Sequence, residues 1–158
     1  MNPDLETYSH TIRTKIDQIL EAIGELDGDD LNRAPELAGA NSPFVIATHV
    51  LGNMRAWVLG IVCGQDLRRD RPAEFASRGT YENLTAAAGA LSAEIDAALR
   101  AFDASRLDER FVPPQELFGE GTPREVSRRD GLAHALEHAG IHLGHIQMTV
   151  QLLKERPA

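Results

Sequence analysis

The sequence has a single cysteine, no excess of positive charge and no uninterrupted apolar run, and each of these absences excludes a class of protein. Cys63 alone cannot form a disulfide within the chain, which favours a reducing, cytoplasmic environment. With 24 acidic against 16 basic residues, the net charge is −8. A chain of this charge repels phosphate groups, so we expect neither nucleic acid nor a membrane surface as a partner.

Several familiar patterns are also missing. The longest apolar stretch, residues 44–62, is interrupted by His49, Asn53 and Arg55, which predicts a buried helix rather than a membrane span. Residues 1–20 lack the basic segment and apolar core of a signal peptide. Because no segment alternates apolar and polar residues convincingly, we expect strands to be at most short and local.

Helical periodicity dominates what remains. The 158 residues, 42% of them hydrophobic and 25% charged, fit one globular domain over 1–158. Apolar residues recur at spacings of three and four in four stretches, which predicts an all-α protein of four helices. Their approximate bounds are 3–26, 42–64, 81–102 and 127–155. The connections 65–80 and 103–126 are long for a helical protein, and could cover a site or merely wrap the surface.

The ends of two predicted helices carry recognisable signals. Ser42 followed by Pro43 is typical of a helix start, and Gly64 of a helix end. Ser127 with Asp130 three residues later resembles a capping box, with aspartate in place of glutamate.

The fourth helix carries a face of histidines. It reads His134-Ala-Leu-Glu-His138-Ala-Gly-Ile-His142-Leu-Gly-His145. At the α-helical rotation of about 100° per residue, these four imidazoles fall within an arc of about 80°. An apolar stripe suited to core packing lies on a separate face, about 110° away. Neutral imidazoles on a largely buried helix need partners, and a divalent cation meets that need by taking one lone pair from each ring.

The candidate metal ligands are His49, His138 and His142. A His-x-x-x-His pair on one helix face can share an ion, and His49, on the apolar second helix, is the best third ligand. A histidine that only packs in the core remains an alternative for His49. His134 and His145 could hydrogen-bond the ligands, line a pocket, act as alternative ligands or lie on the surface.

Other residues near this predicted site have more than one interpretation. Asn53, one turn beyond His49, could orient a ligand, line the pocket or make a polar contact inside the bundle. Met54 and Trp57 are expected in the core or at a dimer interface. Cys63, about 21 Å along the helix from His49, is expected to be a buried, inert thiol. The charged run 66–71 is expected to be a solvated loop.

The two histidine helices resemble those of the DinB-like superfamily. The similarity lies in the fourth helix quoted above and in Ala47-Thr-His49-Val-Leu-Gly-Asn-Met-Arg-Ala-Trp57 of the second. The resemblance implies a four-helix bundle, a three-histidine site for zinc or nickel on His49, His138 and His142, and a homodimer. Characterised relatives include thiol transferases that use mycothiol or bacillithiol, and a mycothiol-dependent maleylpyruvate isomerase. Many relatives have Arg-Gly-Gln after the last ligand, where this chain has Leu143-Gly144-His145.

From this resemblance we expect a metal-dependent enzyme that transfers a low-molecular-weight thiol to a small-molecule substrate. Three neutral ligands would leave the full charge of the ion and open positions for substrate. A hydrolase that activates water is the first alternative. A non-catalytic helical module, whose histidines pack or bind metal only structurally, is the second.

Overall fold

The computed structural model describes residues 2–155, and its regular secondary structure is almost entirely helical. The long helices are α1 (Pro3–Ile23), α3 (Pro43–Met54, continued by a π-helical segment, Arg55–Val62), α5 (Tyr81–Ala101) and α7 (Arg128–Lys154). Short helices lie between them: α2 (Gly28–Leu31), α4 (Arg71–Phe75), a 3₁₀ turn (Ala104–Arg106) and α6 (Gln115–Phe118). The prediction of an all-α fold with four main helices is confirmed.

The helix ends follow the predicted chemistry, with one difference. The side chain of Ser42 accepts a hydrogen bond from the Val45 N–H at the start of α3, and Ser127 and Asp130 form a reciprocal capping box at the start of α7. The first helix ends at Ile23 rather than near residue 26. The reason is that Asp27 begins a separate helix, α2, by accepting the Asp30 N–H.

The four long helices enclose one apolar core. α1 packs on α5 and α7, and α3 with its π segment packs on α7. By length and composition, Pro43–Val62 could cross a membrane, but 72% of its most apolar window is buried inside the protein. This segment is therefore the central helix of the bundle, as its polar interruptions predicted.

The two long connections are folded over one side of the bundle. Arg110–Phe111 and Val126–Ser127 form a two-residue antiparallel ladder, which agrees with the expectation of only short, local strands. This ladder closes residues 112–125 into a loop held beside the start of α7. The 65–80 connection contains α4, which packs on α3. Both connections contribute to the site described next.

Candidate metal centre

Three imidazoles from two separate helices meet at one point. His49 of α3 is buried, with 6% of its surface exposed, and His138 and His142 of α7 are half-buried. The Nε2 atoms of His49 and His138 lie 3.2 Å apart. One ligand atom from each of the three rings lies within 4.8 Å of the others. The predicted meeting of position 49 with positions 138 and 142 is present in the structure.

The donor set fits a divalent metal ion. Zinc–nitrogen bonds of 2.0–2.1 Å in a tetrahedral site place two ligand nitrogens about 3.3 Å apart, close to the separation of His49 and His138. Burial, together with the neighbouring histidines, lowers the pKa of His138 to about 3 and that of His142 to about 4. Both rings are therefore neutral near pH 7 and offer lone pairs, the state in which imidazole binds metals.

A buried ion pair holds the third ring in position. The Nδ1–H of His49 donates to Oε2 of Glu74 over 2.9 Å. Arg69 donates two hydrogen bonds to the same carboxylate, from Nε over 2.7 Å and from a terminal nitrogen over 2.8 Å. Burial alone would raise the pKa of Glu74, but the hydrogen bonds from His49 and Arg69 and the charge of Arg69 lower it overall. The ionised carboxylate can only accept, so it fixes the His49 hydrogen on Nδ1 and turns the Nε2 lone pair toward His138.

Local structure explains how Glu74 reaches this position. Asp70 caps α4 by accepting the Ala73 N–H, so the short helix presents Glu74 toward α3. Gly52 of α3 leaves the space that the carboxylate fills. A Cβ at Gly52 would lie 2.7 Å from Cδ of Glu74 and closer still to Oε1.

The expectation of a solvated loop over 66–71 is wrong at one residue. The side chain of Arg69 is only 5% exposed, because it pairs with Glu74 inside the protein. Neither Arg69 nor Glu74 was singled out from the sequence. Both lie in a connection where no periodicity distinguishes a buried charge from a solvated one.

A pocket of about 610 Å³ opens beside the imidazoles. Its inner wall comes from α3, the π segment and α7, and its outer wall comes from the two long connections. Two salt bridges lie in the outer wall, one between Arg71 and Glu120 at 2.8 Å and one between Arg110 and Glu125 at 2.9 Å. Of the two possibilities raised for the long connections, covering a site is therefore the one observed.

The remaining residues from the sequence prediction take different places. Asn53 is buried and His134 half-buried, and both line the pocket. The His134 ring stacks on Trp57, with centroids 3.9 Å apart. His145 is exposed and outside the pocket lining, although its Nδ1 lies 3.4 Å from Nδ1 of His142. Burial lowers the pKa of His134 and keeps this ring neutral as well.

Residues farther along the second helix follow the core prediction, with one addition. Met54 is fully buried, and Trp57 is only 3% exposed yet also lines the pocket. Cys63 is partly buried, and this burial raises the pKa of its thiol to about 11 despite the opposing charge of Arg128. The thiol is thus protonated near neutral pH and lies outside the pocket lining.

Comparison with known proteins identifies the fold. A family model described as the DinB superfamily matches residues 11–146. The curated proteins contain no match. Among solved structures, YfiT from Bacillus subtilis, described as a probable metal-dependent hydrolase with an unusual four-helix bundle topology, superposes with a TM-score of 0.72 and 12% identity. That match covers 96% of this chain and 88% of YfiT.

Two further structures share the bundle. The DinB-like protein YjoA from Bacillus subtilis has a TM-score of 0.64 and 20% identity, over 98% of this chain and 96% of YjoA. A mutant of the mycothiol-dependent maleylpyruvate isomerase has a TM-score of 0.62 and 16% identity, over 89% of this chain but only 59% of that protein. At these identities the similarity establishes a shared fold.

Proposed function

The chain belongs to the DinB superfamily, and from this premise we propose that it is a metal-dependent enzyme that transfers a low-molecular-weight thiol to a small-molecule substrate. The observation that carries the proposal is the meeting of His49, His138 and His142 beside a large pocket, which His49 and His138 line. A volume of about 610 Å³ lies within the usual range for sites that take small molecules.

His49, His138 and His142 would hold the ion, for which zinc or nickel is proposed. When bound, such an ion supplies Lewis acidity, which lowers the pKa of a thiol or of water toward neutrality. Glu74 and Arg69 together carry no net charge, so they orient His49 without reducing the positive charge of the centre. Among residues 2–155, no fourth side chain joins the cluster, which leaves its pocket side open to a substrate.

The thiol of the proposed reaction has to come from a cosubstrate. Cys63 has a raised pKa and lies outside the pocket lining, so it is a poor nucleophile for a molecule bound there. Trp57 and Phe118 give the pocket an aromatic side, with ring centroids 5.5 Å apart, while Arg124 adds a cation at the outer wall. This mixture suits a small molecule with an apolar body and a polar or anionic end.

A hydrolase is the second candidate. The observation that favours it is that Glu137, an exposed carboxylate, and His134, a neutral imidazole, line the same pocket and could take a proton from water. Turnover of an ester or amide library in the absence of any thiol would favour this alternative, whereas turnover of electrophiles only when a thiol is added would favour the transferase.

Metal content tests the premise that both candidates share. Purified protein should carry about one metal ion per chain, and H138A and H142A should lose it. The control is H10A, because His10 is an exposed histidine of α1, away from the cluster. Equal metal content in the wild type, H138A, H142A and H10A would contradict both candidate functions. The non-catalytic helical module would then be the remaining hypothesis.

We further propose a cytoplasmic homodimer that forms through α7. Ile141, Met148 and Leu152 are 54%, 58% and 41% exposed, and their spacing of seven and four places them within an arc of about 40° on one face. Large apolar side chains grouped on one exposed helix face are typical of interfaces between subunits.

A further inference from the structure

Three buried polar atoms beside the metal centre have no hydrogen-bond partner. They are Nδ1 of His138, Oδ1 of Asn53 and Nε1 of Trp57. All three residues line the same pocket. Unpartnered buried polar atoms are rare in folded proteins because each one has lost its hydrogen bonds to water. Three such atoms at one wall therefore indicate that their hydrogen bonds form only when the site is occupied.

The register of the two helices places Asn53 between the levels of His138 and His134. α3 and α7 run antiparallel here, since the His49 ring contacts that of His138 and, two turns later, the Trp57 ring stacks on that of His134. Asn53 lies midway between His49 and Trp57 along the chain. Among residues 2–155, its carbonyl oxygen is the unpartnered buried oxygen on the pocket wall that also holds the unpartnered Nδ1 of His138.

In this structure the positions of the imidazole hydrogens leave both of these atoms as acceptors. His49 carries its hydrogen on Nδ1, where Glu74 accepts it. The contact of 3.2 Å between the two Nε2 atoms then needs its hydrogen from His138. A neutral His138 with its hydrogen on Nε2 has a bare lone pair on Nδ1, and two acceptors cannot form a hydrogen bond.

If both Nε2 lone pairs were committed to a divalent cation, a neutral His138 would carry its hydrogen on Nδ1. That nitrogen would then be a donor, and Oδ1 of Asn53 would be its matching acceptor. We propose that Asn53 is the positioning residue for His138, and that its carbonyl oxygen accepts the Nδ1–H of this ring when a divalent cation is held at Nε2; the inference rests on the metal centre of the proposed function.

The third unpartnered atom fits the same arrangement. An amide oxygen accepts two hydrogen bonds, and the Nε1–H of Trp57, one turn beyond Asn53, is the second donor on this wall of the pocket. Asn53 would then fix one metal ligand and the indole together. Because Asn53 is neutral and Glu74 is balanced by Arg69, the two acceptors orient His138 and His49 without adding net charge to the centre.

Zinc affinity, measured by competition with a chromophoric chelator, tests the proposal in three variants of the full chain. N53L removes the acceptor at similar size and should weaken zinc binding by about 10- to 100-fold, the usual effect of losing a partner of a metal-bound histidine. N53D keeps an acceptor oxygen and should bind zinc much more tightly than N53L does. N41L, at an asparagine before α3 and outside the pocket, should match the wild type.

A second readout reports on the hydrogen bond itself. In nitrogen-15 NMR spectra of the zinc-loaded wild type, His138 should show a slowly exchanging Nδ1–H, and this signal should be lost in N53L. The one indole N–H signal, from Trp57, should shift in the same variant. Circular dichroism establishes that each variant is folded.

The outcomes separate the two proposals. Wild-type affinity in N53L would overturn the role of Asn53, and so would an equal loss of affinity in N53L and N53D. A wild type that binds no zinc, nickel or cobalt would instead overturn the metal centre and the function proposed from it.

Discussion

Replacing Gly52 with alanine should weaken metal binding although it removes no polar group. The new Cβ would lie 2.7 Å from Cδ of Glu74, too close for the carboxylate to stay where it is. Glu74 is a flexible side chain and can move, but only by releasing His49, Arg69 or both. His49 then loses the acceptor that fixes its orientation, and the expected loss of zinc affinity is about 10- to 100-fold.

The effect on folding can be worked out from the same contacts. An alanine in a helix interior stabilises it by about 0.5–1 kcal/mol relative to glycine. Loss of one hydrogen bond to a charged group costs about 1.5–3 kcal/mol. The free energy of unfolding should therefore fall by about 0.5–2.5 kcal/mol in G52A, measured by urea denaturation of protein stripped of metal.

G89A is the matched control. Gly89 lies within α5, and a Cβ there meets nothing within 4 Å. This variant should gain about 0.5–1 kcal/mol of stability and keep wild-type zinc affinity. If G52A bound zinc as tightly as G89A, the role assigned to Glu74 as the support of His49 would be refuted.

Three further predictions concern titration, spectroscopy and assembly. In the folded protein the pKa values of His138 and His142 are about 3 and about 4, whereas unfolded histidine titrates near 6.5, so the unfolded state binds more protons between these values. The free energy of unfolding of the metal-stripped protein should therefore fall as the pH decreases from about 7 to about 4. A free energy of unfolding that stays constant over this range in chemical denaturation would contradict the burial of these rings. Copper(II) should quench the fluorescence of Trp57, the single tryptophan, because a paramagnetic ion close to an indole provides a decay path, and H138A should abolish the quenching. M148E should convert the proposed dimer to a monomer in sedimentation velocity, because it places a charge in the exposed apolar face of α7; an unchanged sedimentation coefficient would locate any interface elsewhere.

The histidine face was predictable because a helix converts spacing into direction. Once residues 127–155 are identified as helical, the positions of His138 and His142 on one side follow from the rotation per residue. The approach of His49 to them is a tertiary contact that no local rule supplies. Its prediction depended on the apolar helix around it and on the family resemblance.

The support of His49 could not be predicted in this way. Arg69 and Glu74 lie in and beside a charged loop, five residues apart, and such a loop is normally solvated. Their burial depends on the space left by Gly52, a residue on another element. A sequence pattern does not show that the space beside Gly52 is filled by a side chain, or that this side chain is the Glu74 carboxylate.

The π-helical segment explains why Trp57 reaches the pocket. In a continuous α-helix, Trp57 would lie about 80° around the axis from His49. The turns over Arg55–Val62 are wider, so each residue there advances the chain through a smaller angle, and Trp57 returns toward the His49 face. His49, Asn53 and Trp57 thus form one row facing α7, opposite its own row of imidazoles. An α-helix spreads residues spaced by four over about 80° in two turns, as it does for His134, His138 and His142 of α7. The π segment reduces this spread for His49, Asn53 and Trp57 and so brings Trp57 closer to the line of the metal centre.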